Sequence, residues 1–281
     1  MLNVSRRGLT LTEVMLSLVM TLVVTGAIYS LLLSSQRLTL AQGQRISVQS
    51  SVRAGSLILL HELSELGTVT GGTPAQNDII AFGPSAITYR AARGIGFICQ
   101  TPAPTVIRVA RNTFSGHRDP QAGRDEAYVF VPGNPVNATA DAWVAVNIVQ
   151  VATVSMCPGN LPAITLTVFG SPSAEALEVG TPVRIMELME LRFYRADERS
   201  WLGARSVSSG EAIQPLIGPL ADVNGFDLEY LDGFGAPTAD RTGIRSIRVR
   251  LRGSLESRGE LGPPLDEELV TQVALRNSLT P

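Results

Sequence analysis

VMLSLVMTLVVTGAIYSLLL, residues Val14 to Leu33, is a run of 20 residues without a charge. As a helix it spans about 30 Å, the thickness of one hydrocarbon core. Arg6 and Arg7 precede the run and the next basic residue is Arg37. That bias places the N-terminus in the cytoplasm and everything beyond Arg37 outside it. An ordinary secretory signal has an apolar region of about 7 to 15 residues and a small-residue cleavage site. This run is longer, its nearest small-residue stretch is Val24-Thr25-Gly26-Ala27, and it carries an acid, Glu13, at its entrance. A carboxylate at the edge of a membrane segment calls for a partner.

C-terminal to the run the helical period continues. Val48, Val52, Leu59, Leu63 and Leu66 fall at spacings of four, seven, four and three with polar residues between them, an amphipathic stripe. The spacing predicts one helix over 9–66, membrane-spanning at about 14–33 and amphipathic at 34–66, roughly 85 Å long. Gly67 and then Thr70-Gly71-Gly72-Thr73-Pro74 stop it. Residues 67–281 are then a separate head.

In the head the period changes to short β segments between Gly, Pro, Asn and Asp clusters. Predicted strands are Ile79 to Phe82, Ala86 to Arg90, Ile95 to Gln100, Thr105 to Ala110, Glu126 to Val131, Ala142 to Val151, Ala163 to Phe169, Pro182 to Ala196, Phe226 to Leu231, Ile244 to Arg252 and Leu269 to Arg276. The cleanest alternations, Met189 to Phe193 and Ile247 to Arg252, put apolar residues on one face and charges on the other. Stretches near 112–125, 132–141, 197–224 and 232–243 read as long loops. The expected fold class is α+β, a long N-terminal hydrophobic helix packed on a mainly antiparallel sheet.

The composition narrows the function. With 44% hydrophobic and 17% charged residues the chain buries a core, which excludes a disordered protein or a disulfide miniprotein. A net charge of -2 gives no general field for nucleic acid, and none is expected as a partner. All 23 basic residues are Arg, so Schiff-base, P-loop and kinase lysines are absent. No G-x-S-x-G elbow, CxxC or Cys/His signature is present, and neither catalysis, a cofactor nor a resident metal is expected.

Arg6-Arg7-Gly8-Leu9-Thr10-Leu11-Thr12-Glu13-Val14, followed by the apolar run, resembles the type III signal of type IV pilins and pseudopilins. The resemblance implies a pilin-like fold and cleavage by a prepilin peptidase after Gly8, with residues 1–8 the leader and Leu9 the N-methylated first mature residue. Leu9 stands where the family more often has Phe. Glu13 falls at the place of the family's near-invariant acid, where a carboxylate opposes a neighbouring subunit's cationic amino terminus and turns an insertion penalty into an assembly signal. Ser30 stands where many major pilins have a helix-kinking Pro, so no kink is predicted there.

A second resemblance lies in Phe226-Asp227-Leu228-Glu229-Tyr230-Leu231-Asp232, Ile244 to Leu251, and Val270-Thr271-Gln272-Val273-Ala274-Leu275-Arg276-Asn277. Their order and spacing are similar to the C-terminal strands of PilW-type minor pilins and, with a usually shorter head, of J-type pseudopilins of type II secretion. What this implies is a non-enzymatic minor pilin of a pilus tip or priming complex. It would sit in the inner membrane with its head outside, and its partners would be the peptidase, other minor and major pilins and the assembly platform. The alternatives are a J-type pseudopilin and, from another class, a Sec-exported or membrane-anchored hydrolase or binding domain.

Four groups of head residues remain. Cys99 and Cys157 are the only cysteines; outside the cytoplasm they form a disulfide, contributing roughly 4 kcal/mol on the chain-entropy model, or stay as two buried thiols. His61 and His117 are the only histidines, and His61 reads as a helix-surface residue rather than a metal ligand. Asp222, Asp227, Glu229, Asp232 and Asp240 lack EF-hand spacing, and Asp232-Gly233 reads as a hairpin loop, with calcium a minor alternative. Arg245, Arg248, Arg250 and Arg252 read as a solvated strip paired with acids on adjoining strands, with DNA contact the lesser alternative.

Overall fold

The computed structural model describes residues 10–68, 77–132, 142–170, 178–255 and 265–276. Helix α1 runs unbroken over Leu11–Ser64, 54 residues or about 80 Å. Thr10 caps its start: the Thr10 hydroxyl accepts from the Glu13 N–H and the Glu13 side chain accepts from the Thr10 N–H, a capping box. The helix passes Gly26 and Ser30 without interruption, as expected from a run lacking proline. Its end is held by the opposite end of the chain, because the Arg276 N–H donates to the Ser64 carbonyl at 2.9 Å and satisfies one of the orphan acceptors there.

Among the described residues thirteen strands follow: β1 (Ile79–Gly83), β2 (Ala86–Ala103), β3 (Val106–Ala110), β4 (Ser115–Gly116), β5 (Asp125–Val131), β6 (Ala142–Cys157), β7 (Leu161–Phe169), β8 (Pro182–Ala196), β9 (Arg199–Ser206), β10 (Gln214–Leu220), β11 (Phe226–Leu231), β12 (Ser246–Leu255) and β13 (Leu265–Ala274). Every pairing is antiparallel. The protein is α+β, a long apolar helix and a mainly antiparallel sheet. Two sequence expectations are corrected. Residues 197–224 hold β9 and β10 rather than a loop, and Ala86 to Arg90 and Ile95 to Gln100 belong to one 18-residue strand, β2, that passes through Gly94 and Gly96.

The pairings form two bodies that share a spine. Strands β2 and β8 pair from Ala86↔Arg192 to Phe97↔Pro182. At one end of this spine β1, β9, β10, β12, β11 and β13 extend an open sheet. At the other, β2–β3, β3–β7, β7–β6, β6–β5, β5–β8 and β8–β2 return to their start, so six strands close into a barrel and remove its edges. Its interior takes Ile98, Ile107, Val129, Ile148, Leu166, Val183 and their neighbours, at least one from each strand. Phe114 packs against this core. A Cβ on Gly94 or Gly96 would come within 2.6 Å of Phe114 Cζ or 2.5 Å of Val109 Cγ1, so the glycines let Phe114 lie across β2.

The open sheet buries the C-terminal half of α1. All five stripe residues, Val48, Val52, Leu59, Leu63 and Leu66, are 4% exposed or less, in a core with Ile87, Tyr89, Leu191, Leu202, Ile217, Ile247, Val249 and Leu251. Two glycines permit the approach. Gly55 faces Ile217, which a Cβ would overlap, and a Cβ on Gly253 would meet Val48 Cγ1 at 2.6 Å. The Ser51 hydroxyl donates to the Gly218 carbonyl (3.1 Å) and fixes the level of the helix on β10.

Candidate functional site

Among the described residues the apolar side chains in the N-terminal half of α1 are not buried by the rest of the chain. From Leu11 to Leu40 its large apolar side chains, among them Leu11, Met15, Leu22, Tyr29, Leu31 and Leu40, are more than one-third exposed. The segment is long and apolar enough to cross a membrane. Polar side chains within it turn inward on their own helix: Ser17, Thr21, Thr25 and Ser30 each donate to a backbone carbonyl three or four residues earlier. No hydroxyl of those four is left to desolvate unpaired in lipid. Glu13 stands at the exposed tip, its Oε2 accepting from the Thr10 N–H and hydroxyl, each at 3.0 Å. Gly8 and Leu9 lie outside the described residues.

Cys99 on β2 and Cys157 at the end of β6 form a disulfide with Cα atoms 5.9 Å apart. It ties two barrel strands that are not neighbours in the pairing order, and Ala110 and Ala163 pack beside it. The arginine strip is paired with acids: Arg248 contacts Glu229 across the β11–β12 pair at 2.5 Å, and Arg250 contacts Glu268 on β13 at 3.4 Å. Arg245 turns inward to Thr68 and to backbone carbonyls. The Asp232 carboxylate accepts from the Phe234 and Ala236 N–H groups, which makes it a turn residue. Among the described residues no three His, Cys, Asp or Glu side chains converge as a metal set.

The sequence reading missed a charged junction between the two cores. On one face of β8 the side chains run Val183, Ile185, Glu187, Met189, Leu191: the first two enter the barrel core and the last two reach the helix-facing core. Glu187, 2% exposed, lies where the cores meet. Arg93 (2.7 Å), Arg118 (3.3 Å) and Arg124 (2.5 Å) converge on it. Arg118 also grips buried Asp125 with both amines, Arg124 reaches Glu211, and Arg93 reaches Glu62 of α1 at 3.0 Å. Burial pushes the Glu187 carboxyl up, but hydrogen bonds from Arg93, Ser206 and Arg124 together outweigh it and hold the group below its usual range. The signal was present in the sequence as an acid on the apolar face of a strand.

Beside the junction, between the end of α1, β2 and β4, lies a cleft of about 550 Å³. It is lined among others by His61, Glu65, Asp78, Arg93, His117 and Arg184. Asp78 closes the excursion between α1 and β1: its carboxylate accepts from the Gly67 N–H (2.7 Å) and its own N–H donates to the Gly67 carbonyl (2.9 Å). Burial raises its pKa to about 6 against the opposing pull of that bond and of Arg90 and Arg184. No protein family, curated protein or solved structure matches this chain.

Proposed function

We propose that the chain is a minor pilin of PilW type, a non-enzymatic subunit of the tip or priming complex of a type IV pilus. The observation that supports this most directly is the division of α1. One half is buried against the open sheet and the other offers an apolar surface and an acid-bearing tip to its surroundings. Such a subunit is held first by the membrane and then by the packed helices of a filament core, where Glu13 is the one charged side chain between Leu9 and Gln36 that needs compensation. Cleavage after Gly8 would leave Leu9 as the N-methylated start and place a cationic amine beside Thr10 and Glu13. In the free subunit the Glu13 carboxylate is already occupied by Thr10; in the filament a neighbour's amino terminus takes over that position.

The mature N-terminus, determined by mass spectrometry on protein made with and without a prepilin peptidase, tests the reading. An N-methylated Leu9 that depends on the peptidase is the expected result. A start near Ala27 or an uncut Met1 would return the chain to the exported or anchored binding domains. Replacing Glu13 by Ala is expected to leave membrane insertion intact and abolish incorporation into filaments.

A further inference from the structure

His61 lies on α1 and His117 just past β4, 56 positions apart in the chain, yet their rings meet edge-on with centroids 6.3 Å apart at the cleft beside the junction. We propose that these two histidines clamp a borderline divalent transition-metal ion, Zn²⁺ or Cu²⁺, with water completing its coordination.

Three observations carry the proposal. The separation is close to what is needed, because metal–nitrogen bonds of about 2.0 Å and a tetrahedral angle put the centroids of two coordinated imidazoles about 5.2 Å apart, roughly 1 Å nearer than the two exposed rings stand in the cleft. Both rings are exposed, and among the described residues no hydrogen bond or ion pair engages either imidazole, so their nitrogens are open to a ligand. The clamp is also pre-positioned by one residue between its halves. The Arg93 carbonyl accepts the backbone N–H of His117 at 3.1 Å, while the Arg93 guanidinium holds Glu62, next to His61, at 3.0 Å. Gly116 is needed for that closeness, since a Cβ there would lie 2.6 Å from the Arg93 oxygen. Imidazole pairs favour Zn²⁺ and Cu²⁺ over Mg²⁺ or Ca²⁺. Glu62, Glu65 and Asp78 also line the cleft, beside Arg93 and Arg184. No third His, Cys, Asp or Glu among the described residues completes a protein-only set, which is why water is assigned the remaining positions. A bound ion would bridge the end of α1 to the barrel side of the head, an effect independent of whether the chain enters a pilus.

Isothermal titration of the full chain in detergent, stripped with chelator and titrated with ZnCl₂, is expected to show one saturable site. Either His61→Asn or His117→Asn should weaken it at least tenfold without changing the metal-free Tm. Absence of binding up to millimolar Zn²⁺, or undiminished binding by the double variant, overturns the proposal. Electron paramagnetic resonance with Cu²⁺ counts the ligands: two nitrogens in the parent chain and one in each variant support the clamp, and a single nitrogen in the parent refutes it.

Discussion

Two carboxylates in the head have opposite pH behaviour, and the environment of each gives the sign. Asp78, raised from 3.8 to about 6 by burial, keeps its proton in the folded chain through an interval where the unfolded chain has lost it. Stability therefore falls as pH rises from about 4 to 6, by at most about 3 kcal/mol. Asp78→Asn keeps an acceptor for the Gly67 N–H and cannot ionise. It is expected to raise Tm at pH 7.5, with the gain vanishing toward pH 4; a lower Tm at pH 7.5 would show that attraction to Arg90 and Arg184 outweighs burial. Glu187 is held below its usual value, so its contribution is complete above the unfolded carboxyl pKa and lost as pH falls through the lowered folded value. Glu187→Gln leaves three arginines around a neutral amide and is expected to cost about 3 to 5 kcal/mol at neutral pH. Urea melts at pH 7 and pH 3 should show the difference shrinking in acid. Residues of this kind are only half legible in sequence: Glu187 interrupts an apolar face, whereas nothing local announces that Arg93, Arg118 and Arg124 will surround it.

At the scale of elements, legibility followed periodicity. The stripe Val48, Val52, Leu59, Leu63 and Leu66 is local and strong, and each of these side chains is buried. The alternation Ile247, Val249, Leu251 likewise marks β12, with those residues 1% exposed or less. Strands β9 and β10 escaped because Gly203, Pro215, Gly218 and Pro219 break their pattern. Their anchors are only Leu202, Ile217 and Leu220, and Gly203 is required by packing, since a Cβ there would lie 2.5 Å from Tyr194 and 2.6 Å from Ile213. Packing overrides propensity in α1 as well. Gly55 lies in mid-helix, where alanine is intrinsically better by about 1 kcal/mol. Its Cβ, however, would overlap buried Ile217. Gly55→Ala is therefore expected to destabilise, by about 1 to 3 kcal/mol, and a thermal melt showing stabilisation would mean that the helix does not rest on β10 as described.

For the whole molecule, the decisive feature is long-range and left no local trace. The β2–β8 spine joins positions 85 to 106 residues apart in the chain, and that pairing closes the barrel and attaches it to the open sheet. Each body has its own apolar core, and the shared strands and the Glu187 network connect them. The disulfide belongs to one body alone, linking β2 to β6 within the barrel across a separation of 58. Replacing Cys99 and Cys157 by Ala removes a constraint worth roughly 4 kcal/mol on the chain-entropy model, and the two-core architecture predicts where the loss appears. Hydrogen exchange of the double variant should accelerate in β3, β6 and β7, while the buried half of α1, β11 and β12 retains its protection as a separately cooperative unit. Equal loss in β11 and β12 would mean that the spine transmits the change and that both cores open together. In that case the barrel is no appendage, and any partner that loosens it would also loosen the seat of the helix.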